Sequence, residues 1–184
     1  MKYLPFLLTA LAATPAAASD WTLDPEASSV EFVTQAFGAE VRGTFETFET
    51  RISLDPADLT SASVVGRVLV ESGDTGNGQY NSEMTGGGGL DADSHPYAEF
   101  VSESVAASDA CEEGAGTCYV AAGSLTLRGN NQPAEIRFRL EIENDRAIAS
   151  GELTVARSDF GVGSGNWGNA AESVRILLHI EATR

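Results

Sequence analysis

Between Ala134 and Glu143 apolar and charged residues alternate: Ile136, Phe138, Leu140 and Ile142 are interleaved with Glu135, Arg137, Arg139, Glu141 and Glu143. Successive side chains of a strand point to opposite faces, so this stretch is a strand with one apolar and one charged face. Period-two alternation recurs from Ser28 to the C-terminus, and no window carries an i, i+3, i+4, i+7 apolar face. The fold class is therefore all-β. Eight strands are expected, at Ser28 to Gln35, Glu40 to Leu54, Ser63 to Glu71, Tyr97 to Ala106, Thr117 to Leu127, Ala134 to Glu143, Arg146 to Ala156 and Glu172 to Thr183. The dipeptide Asn144-Asp145 predicts a two-residue type I′ hairpin turn, because both residues tolerate positive φ.

Eight antiparallel strands joined mainly by hairpins either close into a barrel, which removes exposed edges, or stack as a two-sheet sandwich. Periodicity alone admits both. A membrane-spanning barrel needs an apolar outer band, whereas one face of nearly every strand here carries Glu or Arg. The segment Ser72 to Pro96 breaks the alternation, with Gly86 to Gly89 in a row, and reads as a long loop holding a short helix near Gln79 to Met84.

Residues 1–19 have Lys2 as their one cation, an apolar run from Leu4 to Ala13, and small residues at Ala16 and Ala18. This is the layout of an export signal, cut after Ala18 or Ser19. The destination is an oxidising compartment, and residues 20–184 make one domain. Lys2 is the only lysine, so its removal takes the formal net charge from −16 to −17. Such a balance repels nucleic acid and anionic membrane surfaces. Cys111 and Cys118 flank a run of turn formers, EEGAGT, and are expected to form a disulfide across a loop tip.

Catalytic constellations are missing. The only histidines, His95 and His179, lie 84 positions apart and read as solvated side chains, with no further ligand at metal-binding spacing. There is no nucleophile elbow, P-loop or dinucleotide fingerprint. Asp91 and Asp93 read as a solvated turn, since the remaining ligands of a calcium loop are absent. No metal, cofactor or catalytic residue is assigned. The apolar face of Val, Ile, Leu and Phe suits either a core filled by its own side chains or a pocket for an apolar ligand.

Four segments, taken together, resemble the YceI-like family. They are the opening WTLDPEASSVEF with Arg42, Gly43, Phe45 and Phe48 after it, DTGN at Asp74 to Asn77, GSLTLRGNNQP at Gly123 to Pro133, and RSDFGVG at Arg157 to Gly163. The resemblance covers about residues 21–183, and the tail is similar to the branch related to domains found beside b-type cytochromes. It implies a single-domain, eight-stranded antiparallel lipocalin-like barrel in the periplasm, binding a polyisoprenoid chain such as a prenyl quinone tail without transforming it. The inward residues that would line such an interior are Phe32; Val68 and Val70; Phe100; Leu125; Ile136, Phe138 and Leu140; Leu153; and Ile176 with Leu178. Arg157 and Asp159 read as a structural charged pair beside a strand end. Where the family commonly has aromatics, this chain has Gly87, Gly88, Gly89, Leu90 and Asp91, which predicts a more open and mobile mouth. Two alternatives remain at this level: a stress or redox accessory module in transient contact with an inner-membrane cytochrome, and a lipocalin-like isomerase or hydrolase.

Overall fold

The computed structural model describes residues 20–111, 114–163 and 169–184. The expected export segment, residues 1–19, lies outside the described residues, as do Glu112 and Glu113 of the cysteine loop. In chain order the strands are β1 (Asp20–Ala36), β2 (Ala39–Phe45), β3 (Phe48–Asp55), β4 (Asp58–Leu69), β5 (Gly73–Asp74), β6 (Tyr97–Ala107), β7 (Thr117–Leu127), β8 (Asn130–Glu143), β9 (Arg146–Ala156) and β10 (Ser173–Thr183). One helix, α1 (Gly78–Thr85), follows β5.

The strand order β10-β9-β8-β7-β6-β4-β3-β1, with β1 also paired to β10, makes a closed antiparallel ring of eight strands. Closure rests on β1, which lies against β10 from Thr22↔Thr183 to Val33↔Arg175 and touches β3 at Asp20↔Ser53 and Trp21↔Ile52. The fold is thus a barrel and not a sandwich. Hairpin strand β2 covers the second half of β1, and the two-residue β5 pairs with the end of β2.

The segment Glu40 to Leu54, expected as one strand, is two, β2 and β3, separated at Glu46 and Thr47. Parity explains the break. Phe45 and Phe48 both border the barrel interior but are three positions apart, and residues of one face in an uninterrupted strand recur every two. The Glu46 N–H donates to the Ser72 carbonyl and the Thr47 N–H to Ser72 Oγ, so the interruption is hydrogen-bonded.

Two further expectations are corrected. Val70 does not continue β4 but opens a 3₁₀ turn, Val70–Ser72, in which it is 2% exposed. The Asn144-Asp145 turn is two residues long, with Glu143 opposite Arg146, but only Asn144 takes positive φ, so it is not type I′. Positive φ at both positions occurs instead at Phe37-Gly38 and Arg128-Gly129, each closing a two-residue hairpin.

The interior is apolar and, among the described residues, no polar or charged residue is fully buried. The outer face carries cross-strand pairs such as Glu31–Arg42, Glu152–Arg175 and Arg146–Glu181. Exposed pairs of this kind add solubility more than stability. Cys111 and Cys118 form a disulfide with a Cα–Cα distance of 5.7 Å, tying the loop after β6 to β7. The ring is short, and the chain-entropy relation values it at about 2.5 kcal/mol. Replacing both cysteines by serine should lower the unfolding free energy by about that amount, read from the midpoint of a denaturant titration. An unchanged midpoint would show that the loop constrains nothing.

Candidate functional site

Inward-facing residues do not fill the barrel. A cavity of about 310 Å³ occupies the half nearest α1, and a second of about 90 Å³ lies in the opposite half. Ile52, Val64, Ile136, Leu178 and Ile180 border both and form the layer between them. Beyond the smaller cavity the barrel is packed. The Trp21 indole N–H donates to the Leu54 carbonyl at 3.0 Å, and Tyr119 stacks on Phe138 with ring centroids 5.7 Å apart.

Of the residues expected to line the interior, Phe32, Val68, Phe100, Leu125, Leu153 and Ile176 border the large cavity, with Ile136 and Leu178 in the dividing layer. Phe138 and Leu140 border the small cavity only. Val70 borders neither, because the 3₁₀ turn carries it off the β4 face and packs it away from the interior. The sequence reading missed Phe37, Met84, Leu90 and Val162, which border the large cavity from loops and from α1, where no strand alternation marks a side chain as inward. It also missed Gly66, which leaves a gap in the β4 face between Val64 and Val68.

The ionisable residues in the lining of the large cavity are Glu49, Arg67, Tyr80, Glu83, Glu99 and Arg157. Arg67 lies over the Tyr97 ring at 3.5 Å, which holds the guanidinium by a cation–π contact. Thr50 Oγ1 is the buried side-chain polar atom without a hydrogen-bond partner among the described residues. Among those residues, too, no group of His, Cys, Asp and Glu is placed to hold a metal ion. His179 lies on the outer face near Ser150 and Glu181, and His95 packs against Gly129.

The recognisable segments are chiefly scaffold. Gly43 is required by close approach, since a Cβ there would stand 2.3 Å from the Phe32 ring and 2.7 Å from the Asp74 carbonyl. In the DTGN element, Asn77 caps α1 by accepting from the Gln79 and Tyr80 N–H groups. Asp74 accepts from Asn81 Nδ2 and the Gly76 N–H, and these bonds, the side-chain one first, hold its carboxyl below the usual carboxylate range. Its contribution is present above the ordinary carboxylate pKa and is lost as pH falls through the lowered value. Arg157 donates to the carbonyls of Ala171, Val162 and Ala170 and pairs with Glu172 at 3.8 Å, shaping the loop between β9 and β10. The structural role expected for this arginine takes the form of a carbonyl clamp, but its carboxylate partner is Glu172 and not the expected Asp159.

Gly86 to Gly89 do not form an unsupported loop. After α1 the chain folds into a hydrogen-bonded turn, with the N–H groups of Gly89 and Asp91 on the Gly86 carbonyl and that of Leu90 on the Met84 carbonyl. Leu90 and Met84 are thereby set against the cavity. The Gly163 N–H donates to the Gly88 carbonyl at 2.8 Å, and the Arg128 guanidinium bridges the carbonyls of Gly87 and Gly161. Glycine is needed here because the backbone segments approach too closely for side chains at Gly86 and Gly89. With a net worth of about 1 kcal/mol for each of its two bonds, Arg128→Ala should speed amide exchange at Gly89, Leu90 and Gly163 by about thirtyfold. Unchanged exchange would mean that Arg128 does not hold the cap.

Solved structures share this architecture. The chain superposes on BcnA of Burkholderia cenocepacia with a TM-score of 0.80 and 28% identity, covering 88% of this chain and 100% of that one. A polyisoprenoid binding domain from Saccharophagus degradans, implicated in plant cell wall breakdown, matches with a TM-score of 0.69 and 15% identity over 91% of this chain and 99% of that one. In sequence, a UPF0312 protein of Ectopseudomonas mendocina is 28% identical, covering 96% of this chain and 93% of its own length. One from Shewanella sp. MR-7 is 29% identical over 97% and 93%. The YceI-like domain model matches residues 21–182, from the first strand of the barrel to its last, and the chain belongs to that family.

Proposed function

We propose that this protein is an exported, non-catalytic binder or carrier of an apolar chain of the isoprenoid type, held in the large cavity and working in the periplasm. The observation that carries the reading is a preformed cavity of about 310 Å³ lined mainly by aliphatic and aromatic side chains. At about 30 Å³ per water-sized group, it holds on the order of ten methylenes or more. Burial of ten methylenes is worth about 8 kcal/mol before the cost of immobilisation, and a preformed cavity spares the cost of reorganisation. The Saccharophagus domain, described as polyisoprenoid binding, has the same fold and supports this choice of ligand class.

The non-catalytic reading is supported by the largely apolar lining, in which Thr34 and Thr50 are among the uncharged polar residues and Glu49, Arg67, Glu83, Glu99 and Arg157 are the charged ones. Native mass spectrometry of protein purified from its own host tests the reading. A co-purifying mass of a prenyl lipid, or stoichiometric uptake of an added prenyl quinone, is expected. Protein that is recovered empty and takes up none would overturn it.

A further inference from the structure

We propose that the end of the barrel bearing Phe37 docks on a lipid bilayer, and specifically on one with uncharged, zwitterionic headgroups. Among the described residues Phe37 is the most exposed large apolar residue, at 71%, and sits at the tip of the β1–β2 hairpin on the border of the large cavity. Its backbone is at φ 54°, a region where glycine is at ease and an aromatic residue is strained. The tip is nevertheless well anchored. The Phe37 N–H donates to the Asn169 carbonyl at 2.9 Å, the Ala171 N–H donates to the Gln35 carbonyl at 2.7 Å, and Ala36 bridges to Ala170. An aromatic ring is thus held out into solvent by a fixed turn.

The surroundings say which surface it meets. In a chain with 21% charged residues, residues 32–39, 84–90 and 160–171 carry no ionisable side chain. The fold gathers described parts of all three at this end, through the Phe37–Asn169 and Gly163–Gly88 bonds. Elsewhere the molecule is strongly acidic, with a net charge of −16, so an anionic surface repels the whole protein. An uncharged interface matches these uncharged segments, on whose backbone carbonyls the guanidiniums of Arg128 and Arg157 are engaged, and leaves the acidic remainder in water. Ala36, Phe37, Asn169 and Ala170 border the cavity, so docking sets its mouth against the bilayer and lets an apolar chain enter without crossing water. The purpose of docking rests on the carrier reading, but its measurement does not.

Co-flotation with vesicles tests it, using the full chain in every variant so that residues 1–19 contribute equally. On phosphatidylcholine vesicles Phe37→Gly should weaken partition at least about tenfold, while Phe37→Leu should stay within about threefold of the parent. Glycine suits the observed φ, so Phe37→Gly keeps the turn, and an unchanged thermal midpoint separates lost docking from unfolding. Replacing about one-third of the lipid by phosphatidylglycerol should weaken binding at low salt. Equal partition of parent and Phe37→Gly, no partition of the parent, or a requirement for anionic lipid would each overturn the proposal. Prenyl lipid uptake measured separately in vesicle-free solution keeps the two readings apart: docking without uptake sinks the carrier function alone, and uptake without docking sinks this proposal alone.

Discussion

Gly66→Phe should abolish lipid retention while leaving the barrel folded and more stable than the parent. Gly66 lies in the β4 face between Thr50 of β3 and Phe100 of β6, and it borders the large cavity. A Cβ built there meets no heavy atom within 4 Å, and its φ is not positive, so the backbone accepts any L side chain. A phenyl ring at this point grows into the space assigned to the ligand. It displaces about six methylene-sized groups, each worth ~0.8 kcal/mol, so affinity should fall at least a hundredfold, to about 1% or less.

The opposite sign is expected for stability. Burying a phenylalanine contributes about 1.5–3 kcal/mol, and removing glycine from a strand adds about 0.5–1 kcal/mol. At roughly 2–4 °C per kcal/mol for a chain of this size, the melting temperature of the ligand-free protein should rise by several degrees. A variant that melts higher and still retains prenyl lipid at parental stoichiometry would show that the ligand does not occupy this cavity. A variant that melts lower would show that the cavity is not free space.

Gly89→Val should have the largest destabilising effect of any single change near the cap. A Cβ at Gly89 stands 2.2 Å from the Met84 carbonyl oxygen and 2.4 Å from that of Glu83, distances that only backbone movement relieves. That movement breaks the turn that sets Leu90 and Met84 against the cavity. Overpacking against backbone costs about 3 kcal/mol, at the upper end of its usual range. The melting temperature should drop by about 6–12 °C, and bound lipid should exchange faster.

Gly87 and Gly88 behave differently, because nothing lies within 4 Å of a Cβ at either. Gly87→Trp should therefore change stability by less than about 0.5 kcal/mol. Aromatic side chains are therefore accommodated at these two glycines and not at Gly86 or Gly89. Equal melting temperatures for Gly89→Val and Gly87→Trp would contradict this account of the cap.

Much of the barrel wall was legible from alternation. β7 and β9 coincide with the expected strands, and β10 begins one residue late. Pattern reading failed where the chain changes parity or leaves the sheet. It merged β2 with β3, although the three-residue spacing of Phe45 and Phe48 already forbids a common face in one strand. It kept Val70 in a strand because a β-branched residue after Val68 and Leu69 continues the run, whereas a 3₁₀ turn takes it away. The cap escaped altogether. Arg128 is 41 residues from Gly87 and 33 from Gly161, and no local periodicity reports a carbonyl clamp over such separations.

Alternation and charge were sufficient to establish a two-faced, antiparallel, outwardly charged sheet, because side-chain direction along a strand is a local property with a period of two. Whether that sheet closes, and whether the closed cylinder is filled, are properties of residues far apart in the chain. Closure depends on β1 meeting β10, with partners such as Phe32 and Ile176 nearly the whole chain apart. Hollowness depends on the sum of inward volumes against the circumference of eight strands, where one glycine at position 66 and the placement of Leu90 change the balance. The apolar face was written in the residues; the empty space inside it exists only once the ring has closed.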